Sequence, residues 1–288
     1  MTPRELVLDV EARFESAQLV FGHGTDNARD EAVFLVFHAL GLPFDVDDDV
    51  LDQSLEDVQC AVVEKIVAER IKSRKPAAYL TGRMWFAGHE FHVDERVLVP
   101  RSPIAELIKS EFKPWLDPSR IDRVLEIGTG SGCIAIAAAI ALPNAKIDAT
   151  DNSADALAVA ALNLARYPQL GDRIWFIEAD LFPLSNATYD LVVTNPPYVP
   201  SGDVSTLPPE YAHEPSMALD AGPDGLTIVR RILAQAADRL SEDGAIIIDV
   251  GEMVTAIDRE IQSVSFTWID VEYGGEGIGI AYKRDFHC

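Results

Sequence analysis

Cysteine is scarce. The 288 residues hold three, Cys60, Cys133 and Cys288, an odd number at unrelated spacings. That excludes a disulfide framework and the ligand spacing of a metal site, and it predicts a reducing, cytoplasmic setting. Long apolar runs are missing too. The longest, Cys133 to Pro143 (CIAIAAAIALP), is too short and too rich in alanine to span a bilayer. The N-terminal MTPRELVLDVEARF alternates charged with apolar residues, so it lacks the continuous apolar core of a secretory signal. There is no internal repeat and no low-complexity segment.

Positive charge is the third shortage. Lys and Arg number 24 against 47 Asp and Glu, a net charge of −23. The imbalance is uneven: residues 1–60 carry −11, residues 61–120 carry +3, and the remainder carries −15. Such a surface repels free nucleic acid and attracts basic protein. An acid excess also keeps a protein soluble, so charge alone does not choose the partner.

Hydrophobic residues make up 48% of the chain, enough for a globular fold with a sizeable core. Residues 1–78 read as a helical domain. Leu6, Val10, Phe14 and Ala17 share one helical face, Gly41-Leu42-Pro43 stops a second helix, and Ser54 with Asp57 fits a capping box opening a third, to about Arg74. Its basic residues Lys65, Arg70, Lys72, Arg74 and Lys75 suit a solvated helix face better than an RNA contact. Residues 79–120 read as a β-hairpin turning near Gly88 and a linker helix opened by Arg101-Ser102-Pro103.

From 121 to 288 strands and helices alternate. Strands are expected at 124–127, 146–150, 174–179, 191–194, 245–250, 267–271 and 278–283. That rhythm predicts an α/β fold with a doubly wound parallel sheet whose ligands sit at the carboxyl ends of its strands. The last two strands are joined only through Gly274-Gly275-Glu276-Gly277, too short for a crossover, so the last strand must be antiparallel and the sheet mixed.

"VLEIGTGSGC" (124–133) places Gly128, Gly130 and Gly132 directly after the first of these strands. Glycines allow a tight turn and close approach to a ligand, and a helix N-terminus offers free N–H groups. The third glycine comes one residue too early for a dinucleotide fingerprint. Asp151 and Asp180 end the second and third strands, where one carboxylate would accept from ribose hydroxyls and the other from an adenine amine, with Leu181 or Phe182 against the ring. Helix N-capping is the competing role for each aspartate.

"YDLVVTNPPYVP" (189–200) ends the fourth strand on Asn195-Pro196-Pro197-Tyr198. The prolines cannot continue a ladder, and they hold the backbone extended with carbonyls unpaired. The Asn195 amide oxygen and the Pro196 carbonyl are therefore acceptors facing the crevice, and Tyr198 offers a flat face. Two acceptors and no base suit the gripping of an –NH2 group whose lone pair is delocalised, positioned for methyl transfer.

The tetrapeptide resembles the [DNS]-P-P-Y signature of amine methyltransferases that act on adenine in DNA or on glutamine amides in proteins. "FHVDERVLVPRSPIAELI" (91–108), "YAHEPSMALDAGPDGLTIVRRIL" (211–233) and "FTWIDVEYGGEGIGI" (266–280) resemble the bacterial protein-(glutamine-N5) methyltransferase family, in particular its branch that modifies large-subunit ribosomal protein L three. The sister branch, acting on the GGQ glutamine of release factors, usually has P-R-P-D-T-E where this chain has Pro100-Arg101-Ser102-Pro103. The resemblance implies a class I methyltransferase fold. It implies S-adenosylmethionine held by Glu126, Gly128, Thr129, Gly130, Ser131, Gly132, Asp151, Asn152, Asp180, Leu181 and Asn195. It also implies a glutamine of a basic ribosomal protein, free or in an assembling ribosome, held by Asn195 to Tyr198, with Arg101 near the cofactor or peptide entrance or in an ion pair. His213-Glu214-Pro215 would shape a lid, with His213 an unnecessary base. No metal, free DNA or membrane partner is expected; a DNA adenine enzyme would need a basic groove.

Overall fold

The structure, a computed structural model, describes residues 1–272 and 275–287. Thr2 caps the first helix, α1 (Pro3–Ser16), by accepting from the Glu5 N–H while Glu5 accepts from the Thr2 N–H. Leu6, Val10 and Phe14 are its buried stripe. Helix α2 (Ala28–Leu40) starts on the Asn27 side chain and stops at Gly41, whose φ of 68° makes the left-handed turn expected of Gly41-Leu42-Pro43. A single turn, α3 (Asp48–Leu51), precedes α4 (Asp57–Ser73). The capping box of α4 is Glu56 with Gln59 rather than Ser54 with Asp57, because the glutamate stands immediately before the first helical residue and supplies the same acceptor. Together these helices enclose a core around Phe14, Leu35, Val36, Val63 and Val67.

Pro76 opens a short α5 (Ala77–Thr81), so the expected strand starts later, with β1 (Arg83–Phe86) and β2 (His89–His92). Ala87 and Gly88 join them at φ 50° and 87°, the two positive values of a tight hairpin turn. Helix α6 (Ile104–Lys109) then leads to the sheet.

The sheet comprises β3 (Arg123–Ile127), β4 (Lys146–Asp151), β5 (Ile174–Glu178), β6 (Tyr189–Thr194), β7 (Leu240–Asp249), β8 (Thr267–Ile269) and β9 (Ile278–Tyr282). Between β3 and β5 lie α7 (Cys133–Ala141) and α8 (Ala154–Leu164); α9 (Ser201–Val204) and α10 (Thr227–Arg239) precede β7, and α11 (Val254–Glu260) follows it. The spatial order is β5-β4-β3-β6-β7-β9-β8. Strands β3 to β7 pair in parallel, and β9 runs antiparallel to both neighbours. The antiparallel last strand is thus as expected, and it lies inside the edge strand β8. Gly274 of its connection, like Cys288, lies outside the described residues.

Apolar clusters cover both faces, one with α7 against Val124, Ile147 and Val193, the other with α10 against Leu125, Val192 and Ile246. Strands buried on both sides need no alternation, which is why β3 and β6 read as continuous apolar runs. Strand order reverses between β3 and β6, where the crevice of a doubly wound sheet opens. No helix among the described residues is long and apolar enough to cross a membrane.

Candidate active site

The glycine loop after β3 is tied down by its own N–H groups. Gly128 and Thr129 donate to the Thr150 carbonyl at 2.8 and 2.9 Å, Gly130 to Asp151 Oδ2 at 2.9 Å, and Gly132 to the Thr129 carbonyl at 2.8 Å. The Ala135 N–H, in the first turn of α7, is taken by Glu126 at 2.9 Å. The N–H groups of the glycine loop and of Ala135 are therefore spent on the protein. Gly128 and Gly130 instead turn bare backbone toward an inner cavity. A Cβ on either, at φ 75° and 53°, would meet no atom within 4 Å.

Gly128, Gly130, Asp151, Asn152, Asp180, Leu181 and Asn195 line that cavity; Glu126, Thr129, Ser131 and Gly132 do not. Glu126 lies behind the loop, accepting from the Thr129 hydroxyl at 2.6 Å. Burial pushes its carboxyl up to about 8, against the pull of the Thr129 hydroxyl and the Ala135 N–H. Asp151 accepts from the N–H groups of Gly130 and Ser153, both at 2.9 Å, and burial raises its pKa. Neither aspartate is a helix cap. Ser153 caps α8, and no helix follows Asp180, which pairs with Arg231 at 2.7 Å at the cavity mouth. Of the two candidate ring contacts, Leu181 lines the cavity at a left-handed φ of 74°, while Phe182 is buried in the core.

Asn195-Pro196-Pro197-Tyr198 follows the end of β6 without regular secondary structure. It is pinned beyond Tyr198, where Val199 donates to the Leu219 carbonyl at 3.0 Å and accepts from Ala221 at 2.8 Å. An outer cavity opens on the far side of the tetrapeptide, lined by Leu98, Arg101, Ser102, Tyr198, Tyr211 and Asp249. Asn195 and Pro196 belong to both cavities, together with Leu98 and Ala218. Among the described residues nothing donates to the Asn195 side chain or to the Pro196 carbonyl. The Tyr198 ring packs on the Gly251 backbone, where an added Cβ would stand 2.9 Å from Cζ. Burial and the nearby Asp249 charge push its hydroxyl up to about 12, so it stays protonated.

Residues 112–207 match the family model described as methyltransferase small domain. The chain is 45% identical over 279 residues to the ribosomal protein uL3 glutamine methyltransferase of Bordetella pertussis (strain Tohama I), covering 96% of this chain and 93% of that one. It is also 45% identical over 293 residues to the protein of the same name in Burkholderia pseudomallei (strain K96243), covering 99% and 95%. The chain belongs to the uL3 glutamine methyltransferase family. Among solved structures, the catalytic domain of hMettl16 in complex with MAT2A 3'UTR hairpin 6 aligns with a TM-score of 0.52 over 82% of this chain and 85% of that one; at 16% identity this is a likeness of fold alone, the class I methyltransferase fold.

In this glutamine methyltransferase several site residues escape a reading of sequence. Ser102 donates to Asp249 Oδ2 at 2.7 Å across 147 positions of chain. Arg101 forms a forked pair with Glu214 at 2.6 and 2.9 Å, and its guanidinium lies 5.7 Å from the Tyr211 ring centroid. It is therefore both an ion-pair partner and part of the outer wall. Of the expected lid, Pro215 lines the inner cavity and Glu214 is fixed between Arg101 and the Val99 N–H. His213 donates from Nε2 to the Ser73 carbonyl at 2.8 Å and lines neither cavity. Arg70 is a correction: it is fully buried, pairing with Glu31 at 2.7 Å, and faces neither solvent nor RNA.

Proposed function

We infer that this protein transfers the methyl group of S-adenosylmethionine to the side-chain amide nitrogen of a glutamine in ribosomal protein uL3. One observation carries the reading: two cavities meet at a wall whose polar groups, Asn195 Oδ1 and the Pro196 carbonyl, are uncharged acceptors. The inner cavity suits a nucleoside without phosphates, since its glycine N–H groups are engaged, Asp151 and Asp180 line it, and its two arginines, Arg96 and Arg231, are paired with Asp94 and Asp180. Gly128, Gly130, Asp151, Asn152, Asp180 and Leu181 would hold the cofactor, with Glu126, Thr129, Ser131 and Gly132 bracing the loop. When bound, S-adenosylmethionine supplies an electrophilic methyl group.

The chain's own residues position the other reactant. An amide nitrogen is a weak nucleophile because its lone pair is shared with the carbonyl. Two acceptors that each take one amide hydrogen align that lone pair with the inner cavity, and such fixing of geometry is worth several kcal/mol of barrier. Tyr198 gives the planar amide a flat wall, and Pro197 restrains the tetrapeptide's backbone. With no base at the wall, the proton leaves after transfer, when the nitrogen has become acidic.

Residues 1–78 would recognise the substrate protein and residues 79–120 would link that domain to the catalytic one, 121–288. The acidic surface suits a basic ribosomal protein, met in the cytoplasm free or during ribosome assembly. The test is to incubate the enzyme with labelled S-adenosylmethionine and, separately, uL3, a release factor and duplex DNA, then to map the label by mass spectrometry. Label on a uL3 glutamine is expected. Label on the release factor alone or on DNA would overturn the substrate.

A further inference from the structure

The outer cavity does not end at Tyr198. It shares Arg101, Ser102 and Pro103 with a neighbouring cleft, which in turn shares Gly24, Met84 and Trp85 with a third cavity in the helical part of the molecule. The three cavities therefore follow one another as a segmented groove from Asn195, past Arg101 and the hairpin strand β1, to helix α2, with Met84 packed on Gly24 between the last two. Its far end is an aromatic box. Trp85 stands edge-on to Phe34 and Phe44, with ring centroids 6.0 and 5.1 Å away, and Ala77 and Ala78 line the same space.

Two features of the box mark it as a place for a ligand. Phe44 is 55% exposed, although it touches three other rings, those of Phe34, Phe37 and Trp85. His23, which lines the box, is only 3% exposed; its Nε2 faces Glu214 at 3.5 Å and its Nδ1 has no hydrogen-bond partner. An open aromatic space beside an unpartnered imidazole nitrogen calls for an occupant that brings an apolar side chain together with a backbone polar group.

The surrounding charge says what kind. Asp26 lines the middle of the groove and Asp30 the box, and the exposed Asp45, Asp47 and Asp49 follow Phe44 along the chain. We propose that the Phe34–Phe44–Trp85 box is a docking subsite for a bulky apolar side chain carried on a basic stretch of the substrate protein, joined to the glutamine site by the groove along Arg101 and Trp85. This rests on the uL3 reading and extends it. A wall that grips any amide group cannot choose among glutamines, so the choice falls to contacts remote from the reacting atom.

The test measures binding of recombinant uL3 by calorimetry to wild type, Phe44→Ala and Val33→Trp, with melting temperatures recorded for each. Val33 lines the box, so a tryptophan there fills it. Phe44→Ala should bind uL3 about tenfold more weakly, equivalent to about 1.4 kcal/mol. Val33→Trp should weaken binding at least as much, and it decides the matter if Phe44→Ala melts early. Affinities of folded Val33→Trp and Phe44→Ala within about twofold of wild type, while wild type still methylates uL3, would overturn the subsite alone. A wild type that binds and methylates no uL3 would overturn the functional reading, and the groove's assignment with it.

Discussion

Glu126, behind the glycine loop, and Glu214, at the seam between helices and sheet, are both almost wholly buried, yet they are driven in opposite directions. Burial raises the pKa of each. At Glu126 only the Thr129 hydroxyl and the Ala135 N–H oppose it, and the carboxyl stands at about 8. At Glu214 the contacts to His23 and to the Arg101 guanidinium overcome burial and bring it to about 2. Neutral donors leave a buried acid protonated, whereas a cation ionises it. The difference separates two building methods. The end of the sheet is an uncharged scaffold for the Asn195 wall. The seam is held by buried acids paired with arginines, since Glu210 with Arg70 and Arg74, and Glu214 with Arg101, link segments far apart in sequence.

The largest break in that comparison should come from Arg101→Met. It leaves the Glu214 charge buried with only His23 and the Val99 N–H beside it, and removing one partner of a buried pair costs about 3–5 kcal/mol. Denaturant unfolding measures the loss; a change below about 1 kcal/mol would mean that charge does not hold the seam. Next comes the neutral joint between the hairpin and the loop. Asn163 accepts from the His92 N–H at 2.7 Å and donates to the carbonyls of His92 and Ser131 at 2.9 and 2.8 Å. Asn163→Ala strands those groups and should lower stability by about 2 kcal/mol, while loosening the loop enough to weaken cofactor binding, read by titration with S-adenosylmethionine.

The smallest effect, and the sharpest discriminator, is pH. The folded pKa of Glu214, about 2, lies below its ordinary 4.5, so its contribution is present above 4.5 and fades as pH falls toward 2. Glu126 has the opposite sign. Its folded value, about 8, lies above 4.5, so its contribution is full below 4.5 and is lost as pH rises through 8. Glu126→Gln should change stability by less than about 1 kcal/mol at pH near 5 and flatten the decline of melting temperature toward pH 8. An unchanged decline would mean Glu126 is not the group that titrates.

The sheet was legible in the chain because its signals are local. Leu191-Val192-Val193 reads as a doubly buried strand within a few residues, and Asn195 follows it directly. The short glycine connection likewise required an antiparallel last strand. The seam was illegible for the opposite reason. Arg74 and Glu210 are 136 positions apart and Arg101 and Glu214 are 113 apart, so an arginine looks like a solvated one until the partner is placed. The engagement of the loop N–H groups was not visible because their acceptors, Thr150 and Asp151, belong to the next strand. The outer cavity was only half visible, since Ser102 and Asp249 meet through the fold alone.

The central claim is that Asn195 and Pro196 form an uncharged acceptor wall that fixes an amide for methyl transfer. The most direct measurement is the single-turnover rate of methyl transfer to uL3 by wild type and Asn195→Ala, with both substrates saturating and with cofactor binding measured alongside. The account predicts a rate about a thousandfold lower, as expected when about 4 kcal/mol of positioning is lost. A variant that keeps its rate within about threefold of wild type would contradict the account, because the wall would then not be what orients the amide.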